Sequence, residues 1–425
     1  MTYETAFTMD TSSIKYGIGA TREVGHDMRR IGGRRVMVVT DPSLADSEPV
    51  AVTLEALRSA GVDPVLFDQA RVEPTDASLK EGVAFAVNGR FDGYVAVGGG
   101  SSMDTAKAAD LYASCPADFP AYVMPPVGEG RAVPGTMAPL IAIPTTAGTG
   151  SETTGTIVFD VVELRTKTAI RQRAARPALG IVDPANTRGL PMVVAACSGL
   201  DVLCHALESL TALPYSRRPA PADPGRRPVY QGSNPISDIW AARAARMAAE
   251  NLPRVVEDGS DDAARGAMLL AATLAGVGFG NAGTQLAHAM SYPVSGMVRD
   301  YVPEGYPSQR PLVPHGMSVA LTAPAAFRFT AAADPDRHRY AAGLLGLEAT
   351  AAGADEPGEL LAEALIAVMR RVGMPNGLAA VGYGPGDVDQ LVAGTVPQHG
   401  PASLSPRPAD AADLRRLFLE SMTLW

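Results

Sequence analysis

The chain has 425 residues, 46% of them hydrophobic, and a formal net charge of −9 at pH 7. That length exceeds one usual hydrophobic core, so we expect two domains. The acidic balance argues against a nucleic-acid-binding protein, which needs a basic patch to neutralise phosphates.

The start of the chain, MTYETAFTMDTSS, lacks the features of a signal or transit peptide. The longest apolar runs fall far short of the roughly 20 residues that a membrane span requires. Three cysteines without a C-x-x-C pair are typical of reduced thiols in a cytosolic enzyme. We therefore expect a cytoplasmic enzyme without a membrane or nucleic-acid partner.

Short apolar runs alternate with helical patterns between residues 35 and 179, which predicts a parallel sheet with crossover helices. Asp41 closes the first predicted strand. By analogy with other dinucleotide-binding folds, an acidic residue there can accept a hydrogen bond from an adenosine ribose and repel the extra phosphate of NADP. The alternative is that Asp41 caps the turn before Pro42.

Two loops in this region are rich in glycine and hydroxyl groups. In VAVGGGSSMDTAKAA, a predicted buried strand is followed by Gly98, Gly99 and Gly100 and then by a helix start at Ser101. Backbone N–H groups at such a helix N-terminus can bind pyrophosphate. The second loop, PTTAGTGSETT, follows another apolar run and offers hydroxyls from four residues, namely Thr145, Thr146, Thr149 and Ser151. Together the loops predict a dinucleotide site.

Four potential metal ligands lie in the middle of the chain. Asp201 and His205 are four residues apart, so on a helix both side chains project from one face. His288 and His315 could complete the set. One carboxylate and three imidazoles suit a divalent transition metal, Fe²⁺ or Zn²⁺. The alternative is that each histidine is merely packed or solvated.

Beyond Pro191 the strand signals fade and Ala-rich helical stretches dominate, so we place a helical domain over residues 191–425 and an α/β domain over 1–190. Two Pro-rich segments, 217–235 and 298–314, can form neither helices nor central strands. They contain Arg217 and Arg310, which are candidates for binding a substrate carboxylate, although most surface arginines are only solvated.

The quoted strings, together with GLDVLCHALES and the two later histidines, resemble the iron-containing alcohol dehydrogenase family over nearly the whole chain. Within that family the chain is most similar to the hydroxyacid-oxoacid transhydrogenase branch, notably at RVEPTDASLKE, YQGSNPISDIW and RPLVPHGMSVALTAPAAF. The resemblance implies an α/β dinucleotide-binding domain followed by an all-α metal-binding domain.

The resemblance also implies the reaction and the site. NAD(H) would lie on a set of residues from the α/β domain, namely Asp41, Gly99, Gly100, Ser101, Asp104, Thr145, Thr146 and Thr149. One divalent metal would be held by Asp201, His205, His288 and His315. Hydride would pass from 4-hydroxybutyrate to 2-oxoglutarate through the nicotinamide, giving succinate semialdehyde and 2-hydroxyglutarate.

Tyr292 marks a departure from many alcohol dehydrogenases of the family, which carry a further histidine four residues after the third metal ligand. A phenol can donate a hydrogen bond, but its unperturbed pKa makes it a poorer proton shuttle near neutral pH. The transhydrogenase branch has tyrosine there as well, so we expect a catalytic role for Tyr292 beside His288. The alternative is that Tyr292 packs at a helix bend before Pro293.

Two other functions stay open at this point. One is an NAD-dependent metal-containing alcohol dehydrogenase acting on another hydroxy acid or alcohol, and the more remote one is a dehydroquinate-synthase-like lyase. The sequence does not decide between Fe²⁺ and Zn²⁺, nor whether NAD is retained between turnovers. We expect a homo-oligomer, as is common for enzymes of this size.

Overall fold

The computed structural model describes residues 2–164, 166–308, 310–346 and 356–425. The chain divides into two compact units. The α/β unit is Asp10–Leu190, and the helical unit consists of residues 2–9 and Pro191–Trp425.

A parallel sheet of six strands forms the centre of the α/β unit, with the spatial order β1-β8-β5-β4-β2-β3. A separate antiparallel hairpin is made by β6 and β7. In chain order the strands are β1 (Ser13–Tyr16), β2 (Arg35–Val39), β3 (Asp63–Phe67), β4 (Gly93–Gly98), β5 (Leu140–Pro144), β6 (Thr156–Val161), β7 (Thr166–Arg171) and β8 (Leu179–Val182).

Both faces of the six-stranded sheet are covered, as is usual for parallel sheets. Alternate residues of β2 belong to different core clusters: Val36 and Val38 pack in one, and Met37 and Val39 in the other. The helices of this unit are α1 (Val24–Ile31), α2 (Glu48–Ser59), α3 (Asp76–Gly89) and α4 (Gly100–Ser114). The sequence predicted the strands around Val38, Leu66 and Ala96, and the structure confirms the α/β fold class.

The helical unit contains no strand of three or more residues in its described part. Among the described residues of this unit, the helices are α5 (Met192–Thr211), α6 (Pro235–Glu257), α7 (Asp262–Ala282), α8 (Leu286–Gly296), α9 (His315–Thr330), α10 (Pro335–Leu344), α11 (Pro357–Arg371), α12 (Val388–Thr395), α13 (His399–Ala402) and α14 (Ala411–Glu420). An N-terminal α/β sheet followed by a C-terminal helical region confirms the predicted architecture.

Two helices of this unit, α5 and α7, are long and apolar enough to cross a membrane, although their sequences contain no long uninterrupted apolar run. Of their most apolar 18 residues, however, 83% and 78% are buried inside the protein. Such burial is typical of helices in a protein core. α5 in particular has buried residues on all sides from Gly199 to Thr211.

The Pro- and Arg-rich segment 217–235 is an ordered loop that is held in place by hydrogen bonds to residues 2–9. It contains only short 3₁₀ turns before α6. The buried carboxylate of Glu4 pairs with Arg227 through two hydrogen bonds of 2.9 and 3.0 Å. Gln231 exchanges hydrogen bonds with the backbone of Thr8. Residues 2–9 are therefore part of the helical unit.

Candidate metal centre and nucleotide loops

The four predicted metal ligands come from three helices of the helical unit. Asp201 and His205 lie one turn apart on α5, His288 lies in the first turn of α8, and His315 is the first residue of α9. One potential ligand atom from each residue lies within 4.8 Å of the others. Three of the four side chains are buried, and His315 keeps 23% of its side chain exposed.

The close approach of α9 to α5 depends on Gly316. A Cβ atom at this position would lie 2.1 Å from the carbonyl oxygen of Cys197 and 2.8 Å from the Cβ of Asp201. Real Cβ atoms do not approach other atoms so closely, so a larger residue would push the two helices apart. The glycine thus allows His315 Nε2 to lie 3.9 Å from Asp201 Oδ1.

Two polar atoms inside this cluster are buried without a hydrogen-bond partner in the described part of the protein. They are Asp201 Oδ1 and His288 Nε2, and the distance between them is 3.7 Å. Burying polar atoms unpaired costs about 1–3 kcal/mol each. An ion between them would remove that cost, so the residues present fit a bound cation.

The charges within the cluster are strongly coupled. Burial by itself would raise the pKa of Asp201, but the three surrounding imidazoles hold it well below its ordinary value. Burial by itself would lower the pKa of His288, but the carboxylates of Glu208 and Asp201 raise it to about 9. The carboxylate of Asp201 is therefore ionised and available as a ligand at neutral pH.

Aromatic contacts fix two of the imidazoles. The ring of His205 stacks on Phe279 of α7, with 3.9 Å between the ring centroids and 8° between the planes. Tyr292 lies one turn after His288 on α8, is 5% exposed, and has its ring centroid 6.2 Å from that of His315. The predicted catalytic tyrosine is thus next to the predicted metal ligands.

Glu208 is a residue of this site that the sequence analysis missed. It lies on α5, is fully buried, and has Oε2 within hydrogen-bond distance of His288 Nδ1. A signal was present: Glu208 follows Asp201 by seven residues and His205 by three, the spacing of residues on one helix face.

The predicted nucleotide-binding residues meet at one edge of the sheet in the α/β unit. They follow the carboxyl ends of β2, β4 and β5, which are neighbours in the sheet. The backbone N–H of Thr145 donates to Gly98 at 3.0 Å. A Cβ atom on Gly100 would lie 2.7 Å from the side chain of Thr149, and one on Gly99 would lie 3.3 Å from Thr146. The two loops therefore pack directly against each other.

Several polar side chains of these loops are occupied by internal contacts. Asp104 accepts hydrogen bonds from the Ser151 hydroxyl at 2.9 Å and from the Val158 N–H at 2.8 Å. Lys107 is fully buried and donates to the carbonyl oxygen of Ser151 at 2.8 Å. Burial lowers the pKa of Lys107 to about 8, and the neighbouring carboxyl groups of Asp104 and Glu152 oppose this shift. Asp104 thus holds the second loop against α4.

Asp41 and Ser101 make local contacts as well. Asp41 Oδ1 accepts from the N–H of Ser43 at 3.0 Å, so it closes the turn after β2. This contact agrees with the alternative prediction, in which Asp41 caps the turn before Pro42. Ser101 accepts from the N–H of Glu73 at 3.1 Å. The two substrate candidates, Arg217 and Arg310, both have exposed side chains in the helical unit.

An α/β unit with paired glycine-rich loops and a helical unit with four clustered metal donors are features of a metal-dependent oxidoreductase. Comparison with protein families makes the class more specific. Residues 11–184 match the model of the iron-containing alcohol dehydrogenases, and residues 229–422 match the C-terminal model of the Fe-containing alcohol dehydrogenase family.

Similar proteins agree with this assignment. The chain is 50% identical over 426 residues to the mitochondrial hydroxyacid-oxoacid transhydrogenase of Mus musculus, covering 100% of this chain and 92% of the mouse protein. The structure of a 1,3-propanediol oxidoreductase matches with a TM-score of 0.85 at 27% identity, covering 98% of this chain and 100% of the other. The NAD⁺ complex of sulfoacetaldehyde reductase from Bifidobacterium kashiwanohense matches with a TM-score of 0.79 at 26% identity, covering 99% of each chain.

The chain therefore belongs to the iron-containing alcohol dehydrogenase family. It is an oxidoreductase, and proteins that are about 50% identical to it over its full length are hydroxyacid-oxoacid transhydrogenases.

The expectation of a cytoplasmic location is contradicted by the same comparison. The similar transhydrogenases of mouse, rat, human and Dictyostelium discoideum are mitochondrial by name. The expectation rested on the first residues of the sequence, on its composition and on its cysteines. Neither the composition nor the reduced cysteines distinguish the two compartments.

Proposed function

We propose that the protein transfers hydride from 4-hydroxybutyrate to 2-oxoglutarate, giving succinate semialdehyde and 2-hydroxyglutarate, with NAD(H) as the carrier. The 50% identity to a hydroxyacid-oxoacid transhydrogenase over the whole chain carries this proposal. The two half-reactions balance: the hydroxy acid loses two electrons and two protons, and the oxo acid gains them. No other oxidant or reductant is consumed.

Asp201, His205, His288 and His315 would hold one divalent metal, Fe²⁺ or Zn²⁺. When bound, the metal would supply a Lewis acid that favours the alkoxide form of the donor alcohol. The unpartnered Asp201 Oδ1 and His288 Nε2 support this assignment. The name of the family refers to iron, and the donor set suits either ion.

Tyr292 would assist proton transfer at the substrate oxygen. Its position on α8, one turn after His288, places a buried phenol beside the donor cluster. Each half-reaction moves one proton besides the hydride, and a hydrogen-bonding group is required to hold it. The same tyrosine would therefore serve both half-reactions.

NAD(H) would bind in the α/β unit along the two packed loops. Gly99, Gly100 and Ser101 would approach the pyrophosphate at the N-terminus of α4, where backbone N–H groups favour an anion. Thr145, Thr146 and Thr149 would contact the ribose and nicotinamide, and Asp41 the adenosine ribose. Asp104 would support this site indirectly, because its carboxyl group accepts a hydrogen bond from Ser151 of the second loop.

Both substrates are carboxylic acids, so a guanidinium group suits their recognition. Arg217 and Arg310 are our candidates, and both have exposed side chains in the unit that contains the metal ligands. We also propose that the boundary between the α/β domain and the helical domain lies between residues 190 and 191, and that the enzyme is a homo-oligomer.

The test is to incubate the purified protein with 4-hydroxybutyrate and 2-oxoglutarate without added NAD. We expect succinate semialdehyde and 2-hydroxyglutarate in equal amounts, formed through retained cofactor. If the protein forms no product until NAD is supplied and then accumulates NADH, it is a dehydrogenase that releases its cofactor. Absence of both products with and without NAD would overturn the proposed substrates.

A further inference from the structure

Glu208 is a fully buried carboxylate next to the metal donors, but it is not one of them. It lies on α5 among residues that are almost all buried. A carboxyl group in such a place needs hydrogen-bond partners, because burying its polar oxygens unpaired is costly. The contacts of its two oxygens show how this is done.

The first oxygen of Glu208 caps helix α8. Oε1 accepts hydrogen bonds from the backbone N–H groups of Ala287 at 2.8 Å and His288 at 3.2 Å. Gln285, the residue that precedes α8, makes no capping hydrogen bond with its side chain. A residue of α5 thus satisfies the N–H groups that every helix start leaves free, and its negative charge faces the positive end of the helix.

The second oxygen of Glu208 bonds to the side chain of the same histidine. Oε2 is within hydrogen-bond distance of His288 Nδ1. Carboxylate oxygens accept hydrogen bonds, so this pairing assigns a ring proton to Nδ1. In the neutral form of the ring, which is the form that binds a metal, a proton on Nδ1 leaves the lone pair on Nε2.

His288 Nε2 is the nitrogen that faces the donor cluster. It lies 3.7 Å from Asp201 Oδ1, and neither atom has a hydrogen-bond partner in the part of the chain that the structure describes. One carboxylate therefore determines the position of the helix start, the orientation of the ring and the nitrogen that remains free for an ion.

We propose that Glu208 is a positioning residue that holds His288 in the Nδ1-protonated form, so that Nε2 is the metal ligand. This inference rests on the proposed function, since it assumes that the Asp-His-His-His set binds a metal. It assigns a role to a residue outside that set. A hydrogen-bond acceptor at the ring nitrogen that does not bind the metal orients a histidine ligand and increases its affinity for the metal.

The test substitution is Glu208→Gln, which preserves the size and shape of the side chain. The side-chain amide oxygen of the glutamine should replace Oε1 and accept from the two backbone N–H groups of α8. In the opposite orientation the amide NH₂ group would face those N–H groups, and two donors cannot form a hydrogen bond. The NH₂ group then faces His288 Nδ1, which can only accept if the ring proton moves to Nε2. The proton would occupy the position that the metal requires.

We expect the E208Q variant to bind Zn²⁺ about 10–100-fold more weakly than the wild type, measured by competition with a chromogenic chelator. Glu4→Gln is the matched control, because it neutralises another buried carboxylate of the helical unit that pairs with Arg227. The E4Q variant should bind Zn²⁺ as tightly as the wild type. Equal affinity of E208Q and wild type would overturn the inference.

A second measurement covers the case in which E208Q does not fold. In the Zn²⁺-loaded wild type, ¹⁵N-resolved NMR of the histidine rings should show a slowly exchanging proton on Nδ1 of His288, assigned by comparison with H288A. An unprotonated Nδ1 would refute the positioning role. If the wild type binds no metal at all, the proposed metal site itself is wrong. A wild type that binds Zn²⁺ but has an unprotonated Nδ1 on His288 would refute only the positioning role of Glu208.

Discussion

At the scale of single residues, Tyr292 is the group whose chemistry can be tested most directly. Replacing it with Phe removes only the hydroxyl and keeps the buried ring next to His315. If the phenol assists proton transfer, kcat should fall roughly 10²–10⁴-fold. The metal content of the variant, measured by elemental analysis, should stay at the wild-type level.

Tyr122→Phe is the control for this substitution. The hydroxyl of Tyr122 is buried in the α/β unit and donates to the carbonyl oxygen of Cys115 at 2.9 Å. Its loss should lower the melting temperature but leave kcat unchanged. A Y292F variant with unchanged kcat would mean that Tyr292 only packs at the bend before Pro293.

The buried carboxyl group of Asp110 should make the stability of the folded protein depend on pH. Burial raises the pKa of this carboxyl to about 7, although it accepts hydrogen bonds from Ser114 and from the backbone of Ala138. Between about pH 4 and pH 7 the folded state therefore binds a proton that the unfolded state has lost. Stability falls as the pH rises through this range, and the cost is fully present above pH 7.

Asp110→Asn should remove that cost. The neutral amide can still accept from Ser114 and Ala138, so we expect a higher melting temperature than wild type at pH 8 and little or no gain at pH 4. Each 1 kcal/mol shifts the midpoint by about 2–4 °C in a domain of this size. Calorimetry at both pH values is the measurement, and an equal gain at each would contradict the assigned pKa.

The site residues differ in how far the sequence could identify them. Asp201 and His205 follow from helical spacing alone, whereas grouping them with His288 and His315 was a hypothesis from residue type to which resemblance to a family added support. Glu208 was missed because a glutamate on a helix is normally solvated, and only packing shows that this one is buried against α8. The roles of Arg217 and Arg310 stay predictions, because exposure alone does not identify a ligand.

At the scale of elements, the contact between α5 and α9 depends on the lack of a side chain at Gly316. Gly316→Ala would place a Cβ 2.1 Å from the backbone oxygen of Cys197, so the helices must separate. Overpacking of this kind costs about 1–3 kcal/mol. We expect a lower melting temperature together with weaker metal binding, because His315 moves away from Asp201.

Gly343→Ala on α10 is the matched control. The glycine is exposed within its helix, and a Cβ there would meet nothing within 4 Å. Alanine should stabilise this helix by roughly 0.5–1 kcal/mol without changing metal affinity. If both variants bind Zn²⁺ like the wild type, the spacing of α5 and α9 does not limit the site.

The order of elements was predictable where the hydrophobic pattern was strong. The buried runs of β2, β4 and β5 are apolar on both faces, as central parallel strands are, and the Ala-rich stretches are helices. The hairpin of β6 and β7 was not predicted, because its polar residues pair with partners distant in sequence, such as Lys167 with Glu73. Such contacts leave no local pattern.

At the scale of the whole molecule, the metal donors all belong to one unit. A metal that binds the folded state but not the unfolded one stabilises it, by about 2.7 kcal/mol at a concentration of 100 Kd. Removing the metal with a chelator should therefore destabilise the helical unit. Hydrogen–deuterium exchange should rise in α5, α8 and the start of α9, while the six-stranded sheet of the α/β unit keeps its protection.

His288→Ala provides the comparison for this experiment. Without chelator it should reproduce the exchange pattern of the metal-free wild type, and adding chelator should change it no further. Increased exchange spread equally over the strands of the α/β unit would show that the effect is not local to the donor set.

The attachment of residues 2–9 to the helical unit has a consequence for synthesis on the ribosome. The α/β unit is one continuous stretch, Asp10–Leu190, so it can fold as soon as it emerges, as domains generally do. The helical unit cannot be completed in this way. Glu4 is synthesised before the α/β unit but can pair with Arg227 only after that residue, more than two hundred positions later, has been made. A segment that precedes the α/β unit in the chain thus reaches its native contacts after that unit can already have folded.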